Sequence, residues 1–162
     1  MAHRVVVFAC GEPLRGDDGA ARLAVASLPP RARLAATVHL IGQLELDVVV
    51  AVAPGTPMIV VDTVVGVDPG RIVLLDLADL ERRATEIRPR STHQLPLYEV
   101  LGLAEALGHP VTGVFLGVGG QSFEPGSPIS PEVSRALPAL RAAVAEEIER
   151  MTEQRAAPLL VR

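Results

Sequence analysis

Short apolar runs and helical stripes alternate along this chain. Residues 4–9 read RVVVFA, a β-branched run suited to a strand buried on both faces. Gly11 and Pro13 break it. A helix then starts at Asp17 or Asp18 and carries Ala21, Ala24, Val25 and Leu28 on one side, until Pro29-Pro30 stops it. Residues 36–41 form a weaker strand. Residues 44–53 have a helical pattern, although their Val-rich centre also suits a strand. MIVV, residues 58–61, is a second strongly apolar strand closed by Asp62, and residues 71–77 form another. Leu97, Val100, Leu101, Ala104 and Leu107 recur at helical spacing, with Gly108 as the stop. Residues 111–118 are a strand. Ser130-Pro131-Glu132 has the form of a helix start, with Ser as cap and Pro at the first helical position.

A last stripe of Val133, Leu137, Leu140, Val144, Ile148 and Met151 predicts a long helix. Pro138 lacks the donor N–H, so a kink or restart is expected there. The period fades after Thr152. This gives one domain over residues 1–152 and a frayed tail over residues 153–162. No internal repeat is present. Strands alternating with helices predict a single three-layer α/β/α domain around an open, twisted, mainly parallel sheet. In such sheets ligands sit beyond the carboxyl ends of the strands, which directs attention to the loops there.

Composition narrows the function classes. Hydrophobic residues make up 49% of the 162 positions, which excludes a disordered chain. Aromatics make up only 2%, so the core is aliphatic and a base-stacking surface is hard to assemble. The net charge is −4 with dispersed basic residues, and no nucleic-acid stripe emerges. Cys10 is alone, so no internal disulfide forms and a reducing cytoplasm fits; a small buried thiol at a strand end is the plain reading. The apolar run at the N-terminus stops at Cys10 without the marks of a signal peptide. No apolar run reaches the ~20 residues of a membrane helix.

Three places carry candidate chemistry: GEPLRGDDG at residues 11–19, Asp62 after MIVV, and STHQLPL at residues 91–97. Each alone has a plain explanation. Asp17 and Asp18 could cap a helix, Asp62 could close a turn, and His93 could hold a loop. Together they place carboxylates and one imidazole at the same sheet edge, a donor set suited to a divalent metal such as Ni, Zn, Mn or Fe. A proton-sharing dyad of Asp17 and Asp18 is disfavoured, because sequence neighbours at a turn diverge. No phosphate-binding glycine fingerprint follows the first strand, and two acids at the helix start would repel phosphate.

GEPLRGDDG resembles the G-N-x-L-x-x-D-[DE]-G signature of hydrogenase maturation endopeptidases. Asp62, the stretch THQLPLYEVLGLAEALG from Thr92, and GVGGQSFEPGSPISPEV at residues 117–133 resemble that family's later landmarks in the same order. The resemblance implies an α/β hydrolase, often classed with aspartic-type endopeptidases. It would remove the C-terminal extension of a nickel-iron hydrogenase large-subunit precursor after nickel insertion. It further implies that Asp18, Asp62 and His93 read a nickel ion supplied by the substrate; the mechanism expected from this set is that the metal, or a carboxylate such as Asp17, activates water or polarises the carbonyl. A cytoplasmic monomer without nucleic-acid or membrane partners accords with this. The chain departs from the family pattern at Glu12 (Asn in the family), Ala9 and Gly120, and in the loop at residues 42–45. These departures bear on substrate choice. They leave open a relative that binds the nickel subunit without cutting it, as well as a metal-dependent hydrolase of small molecules.

Overall fold

Each apolar run becomes a strand, because a β-branched segment buried on both faces is stable only inside a sheet. The computed structural model describes residues 4–83, 88–89 and 95–157. Strands β1 (Val5–Cys10), β2 (Ala36–Ile41), β3 (Pro57–Val65), β4 (Ile72–Asp76) and β6 (Thr112–Gly119) form a sheet in the order β2-β1-β3-β6-β4, and the two-residue β5 (Arg88–Pro89) pairs beside β3. The β1–β2, β1–β3 and β3–β6 pairs are parallel, whereas β4 runs antiparallel to β6 and β5 antiparallel to β3. The mainly parallel sheet expected from the sequence is therefore present.

Helices cover both faces. On one face, Val7, Ile59, Val61 and Leu116 of the sheet meet Ala21 and Val25 of α1 (Ala20–Ala26), Ala32 of α2 (Pro30–Ala35), and Leu140, Val144 and Ile148 of α6 (Pro131–Ala156). On the other, Phe8, Met58, Val60 and Phe115 meet Val49 of α3 (Leu46–Val50), Leu80 of α4 (Leu80–Arg83), and Leu97, Val100, Leu101 and Ala104 of α5 (Leu97–Ala106). Among the described residues no helix is long and apolar enough to cross a membrane.

Several local expectations change. Neither Asp17 nor Asp18 begins a helix: both lie in a 3-10 turn, Gly16–Gly19, that runs into α1. Pro30 opens α2 at its first position instead of only ending α1. The ambiguous segment at 44–53 is helical, as α3. Asp62 does not close its strand, because β3 continues to Val65 while β6 keeps pairing with it through Val64–Gly119. Leu107 is exposed, since α5 ends one residue earlier and Gly108 turns the chain with φ +82°. Helix α6 shows no restart at Pro138. Pro138 lies on its exposed side, as does Ser134, whose carbonyl loses a partner there and has water within reach. The same helix persists to Ala156, beyond Thr152 where the apolar period stops.

Candidate functional site

Strand β1 ends at the base of the site, and Gly11 turns the chain there. Its N–H donates to the carbonyls of Ile41 (3.1 Å) and Gly42 (3.0 Å). Its φ is +127°, and an added Cβ would lie 1.9 Å from the Asp18 carbonyl oxygen, so only glycine fits. The turn brings Asp18 back against the loop it follows: the Glu12 N–H donates to Asp18 Oδ2 at 2.8 Å. Asp18 is 8% exposed. The contact made by residue 12 is thus a backbone one, and the Glu12 side chain points out with ample exposure. Residue 12 therefore supports Asp18 through its backbone, independently of its side chain.

Asp17 is fully buried, and its carboxylate takes a different set of partners from that of Asp18. Its Oδ2 accepts from the Gln121 N–H (2.9 Å), the Ser122 N–H (3.0 Å) and the Ser130 hydroxyl (2.9 Å), and its Oδ1 accepts from the Ser130 N–H (2.7 Å). Its backbone is held too: the Asp17 N–H donates to the Ser122 carbonyl (2.7 Å), and the Thr63 hydroxyl donates to the Asp17 carbonyl (2.7 Å). A buried carboxylate so fully satisfied is an anchor, and its lone pairs are committed. Ser130, expected as a helix cap, instead spends its hydroxyl on Asp17 and makes no side-chain cap bond to α6. Gly120 belongs to the same knot. A Cβ there would come within 2.5 Å of Thr63 Cγ2 and 2.8 Å of Phe123 Cζ, which explains glycine at this position.

Asp62 is 2% exposed and shares the sheet face of Val60 and Val64. The β1–β3 register runs from Val6–Met58 to Ala9–Val61, and one further step puts Cys10 level with Asp62 on adjacent strands. Burial pushes the Asp62 carboxyl up to about 8; the Thr63 N–H, 2.8 Å from Oδ1, pulls it back down, and the charge of Asp18 adds a further rise. The Cys10 thiol is likewise raised, first by burial and then by Asp62 and Asp18. Sequence reasoning left Cys10 outside this cluster, as a small buried thiol at a strand end. Its position level with Asp62 would have been legible only once the strand register was known.

Asp18, Asp62 and Cys10 thus form one electrostatically coupled group at the carboxyl end of β1. The two carboxylates can stabilise a cation, and the Asp62 carboxyl, pushed up to about 8, can exchange a proton near neutral pH. His93 lies outside the described residues. Among the described residues no group of three His, Cys, Asp or Glu side chains is placed to hold a metal ion.

Fold and site together define a three-layer α/β protein with buried acids where such folds place their ligands. The structure of the hydrogenase maturating endopeptidase HybD from E. coli matches with a TM-score of 0.75 at 22% identity, covering 92% of this chain and 94% of that one. The [NiFe] hydrogenase maturation protease HybD from Thermococcus kodakarensis matches with a TM-score of 0.66 at 20% identity, over 93% and 99% of the two chains. The endopeptidase HycI from Escherichia coli gives 0.66 at 21% identity, over 89% and 90%. At these identities the structural likeness carries the fold. No curated protein matches the chain by sequence. The sequence profile of the HycI hydrogenase maturation protease family matches residues 27–149, well over half of the chain. The chain belongs to the hydrogenase maturation protease family, and so to the hydrolases. The matched stretch includes Asp62 and His93 but starts after Asp17 and Asp18.

Proposed function

We propose that this chain is the endopeptidase that removes the C-terminal extension of a nickel-iron hydrogenase large-subunit precursor after nickel insertion. The observation that carries the reading is the coupled pair of buried carboxylates, Asp18 and Asp62, at the carboxyl end of β1 in a member of this family. The nickel arrives as part of the substrate. Asp18, Asp62 and His93 receive it, and two carboxylates plus one imidazole leave positions for the substrate's own ligands. Asp62, held protonated by burial, releases its proton as the cation arrives; the cation then offsets the charge that the interior disfavours. Docking on the metal fixes the scissile bond, and water activated beside the cation attacks its carbonyl. Asp17 serves as the positioning residue that holds the Asp18 turn, with its own oxygens occupied. The reaction takes place in the reducing cytoplasm, where an unpaired Cys10 is stable.

The test is incubation of the purified protein with nickel-loaded precursor, following the precursor's mass. Nickel-free precursor and the His93→Ala variant run in parallel. Release of a C-terminal peptide only with nickel and intact His93 is the expected result. A precursor that binds and keeps its full mass, while remaining cleavable by a cognate peptidase, would refute the reading.

A further inference from the structure

Two loops lie against the paired aspartates: residues 12–15, where the Glu12 N–H donates to Asp18, and residues 121–128, whose first two N–H groups donate to Asp17. The Asp17 carboxylate ties the base of the second loop to the turn that follows the first. At the tip the Gly126 N–H donates to the Leu14 carbonyl at 2.7 Å, and the Arg15 N–H donates to the Glu12 carbonyl at 3.2 Å. The two loops therefore form one stiff unit. Leu14 is 74% exposed at its tip, and Pro13, Pro125 and Pro128 of the same two loops are exposed as well. Leu14 covers little of its own fold. A single exposed leucine needs no explanation by itself, and Leu34 on α2 is 73% exposed as well. Leu14 differs in being carried on a cross-braced tip four residues before Asp18, where proline fixes the backbone further. The tip is flanked by the exposed acids Glu12 and Glu124.

We propose that this tip is the platform on which the protein substrate docks, with Leu14 as its apolar anchor. The partner face is an apolar hollow with basic residues opposite Glu12 and Glu124. The proposal rests on the reading above, in which the substrate is a folded subunit that brings its metal to Asp18 and Asp62. A tip already ordered before docking loses little entropy on association, and a rigid apolar anchor inside a polar rim is how interfaces concentrate binding energy.

The test measures binding of nickel-loaded precursor to the immobilised full-length chain, and precursor cleavage by mass, for wild type, Leu14→Ser and Leu34→Ser. Leu14→Ser is expected to raise Kd and KM roughly tenfold or more, leaving kcat within about twofold and the melting temperature unchanged. Leu34→Ser is expected to change neither Kd nor KM. A Kd for Leu14→Ser within about twofold of wild type overturns the platform, as does an equal loss in both variants. Wild type that binds the precursor without shortening it refutes the peptidase reading alone, because the Leu14 effect is read on binding. Wild type that neither binds nor cuts overturns both.

Discussion

Asp62→Asn keeps the shape of the side chain and removes its charge. Aspartate ordinarily titrates at 3.8, whereas burial holds the folded Asp62 at about 8. Because the folded value is the higher one, the native chain holds a proton that the unfolded chain has already released. The stabilising contribution is present in full below pH 3.8 and is lost as pH rises through the folded value. Roughly four pH units at about 1.4 kcal/mol each give a loss near ~6 kcal/mol above pH 8, and ~4 kcal/mol at pH 7. Asparagine does not ionise, and its oxygen can still accept the Thr63 N–H. The buried amide group brings a desolvation penalty of ~1–3 kcal/mol that does not depend on pH, so the variant is more stable than wild type by at least ~2 kcal/mol at pH 8 and falls below it by up to ~2 kcal/mol at pH 4. Urea unfolding followed by circular dichroism, from pH 4 to pH 9 for both proteins, reads the difference directly, since the remaining carboxylates are common to both. Midpoints that stay parallel across that range, or a variant less stable than wild type at pH 8, would refute the reasoning. The same variant should lose nickel-dependent cleavage, so that stability gained is function lost.

Asp17→Asn should act in the opposite sense. An amide offers one acceptor oxygen where the carboxylate serves three N–H donors and a hydroxyl, so a loss of ~2–4 kcal/mol is expected in chemical denaturation. An unchanged midpoint would leave Asp17 without its anchoring role. In a double-mutant cycle, Asp17→Asn and Ser130→Ala should couple by about 1 kcal/mol, and strict additivity would show that the hydroxyl bond contributes nothing. Gly11→Ala should lower stability by more than ~2 kcal/mol and slow cleavage, because its Cβ would strike the Asp18 carbonyl; melting curves and precursor mass report the two effects separately. A variant that melts and cleaves like wild type would mean that the turn has room to relax.

The local pattern of the chain determined most of its architecture. Apolar runs such as MIVV and VVVFA could only be buried strands, and the stripe from Val133 to Met151 could only be the inner face of a helix, because both readings depend on periods of a few residues. The motif around Asp17 and Asp18 and the position of Asp62 also marked the sheet edge where the acids gather. Tertiary structure alone decided how the two neighbouring aspartates divide their labour. Asp17 finds its partner Ser130 113 positions away, and no local rule announces that pairing. Asp18 turns the other way, to the N–H of Glu12. The β1–β3 register sets Cys10 beside Asp62, and packing on both sides of the sheet removes the water that would keep that carboxyl acidic. Hydrophobic periodicity is encoded within a few residues. Hydrogen-bond partners and the solvation of a charge are set by atoms from distant parts of the chain, and they exist only once the sheet has closed.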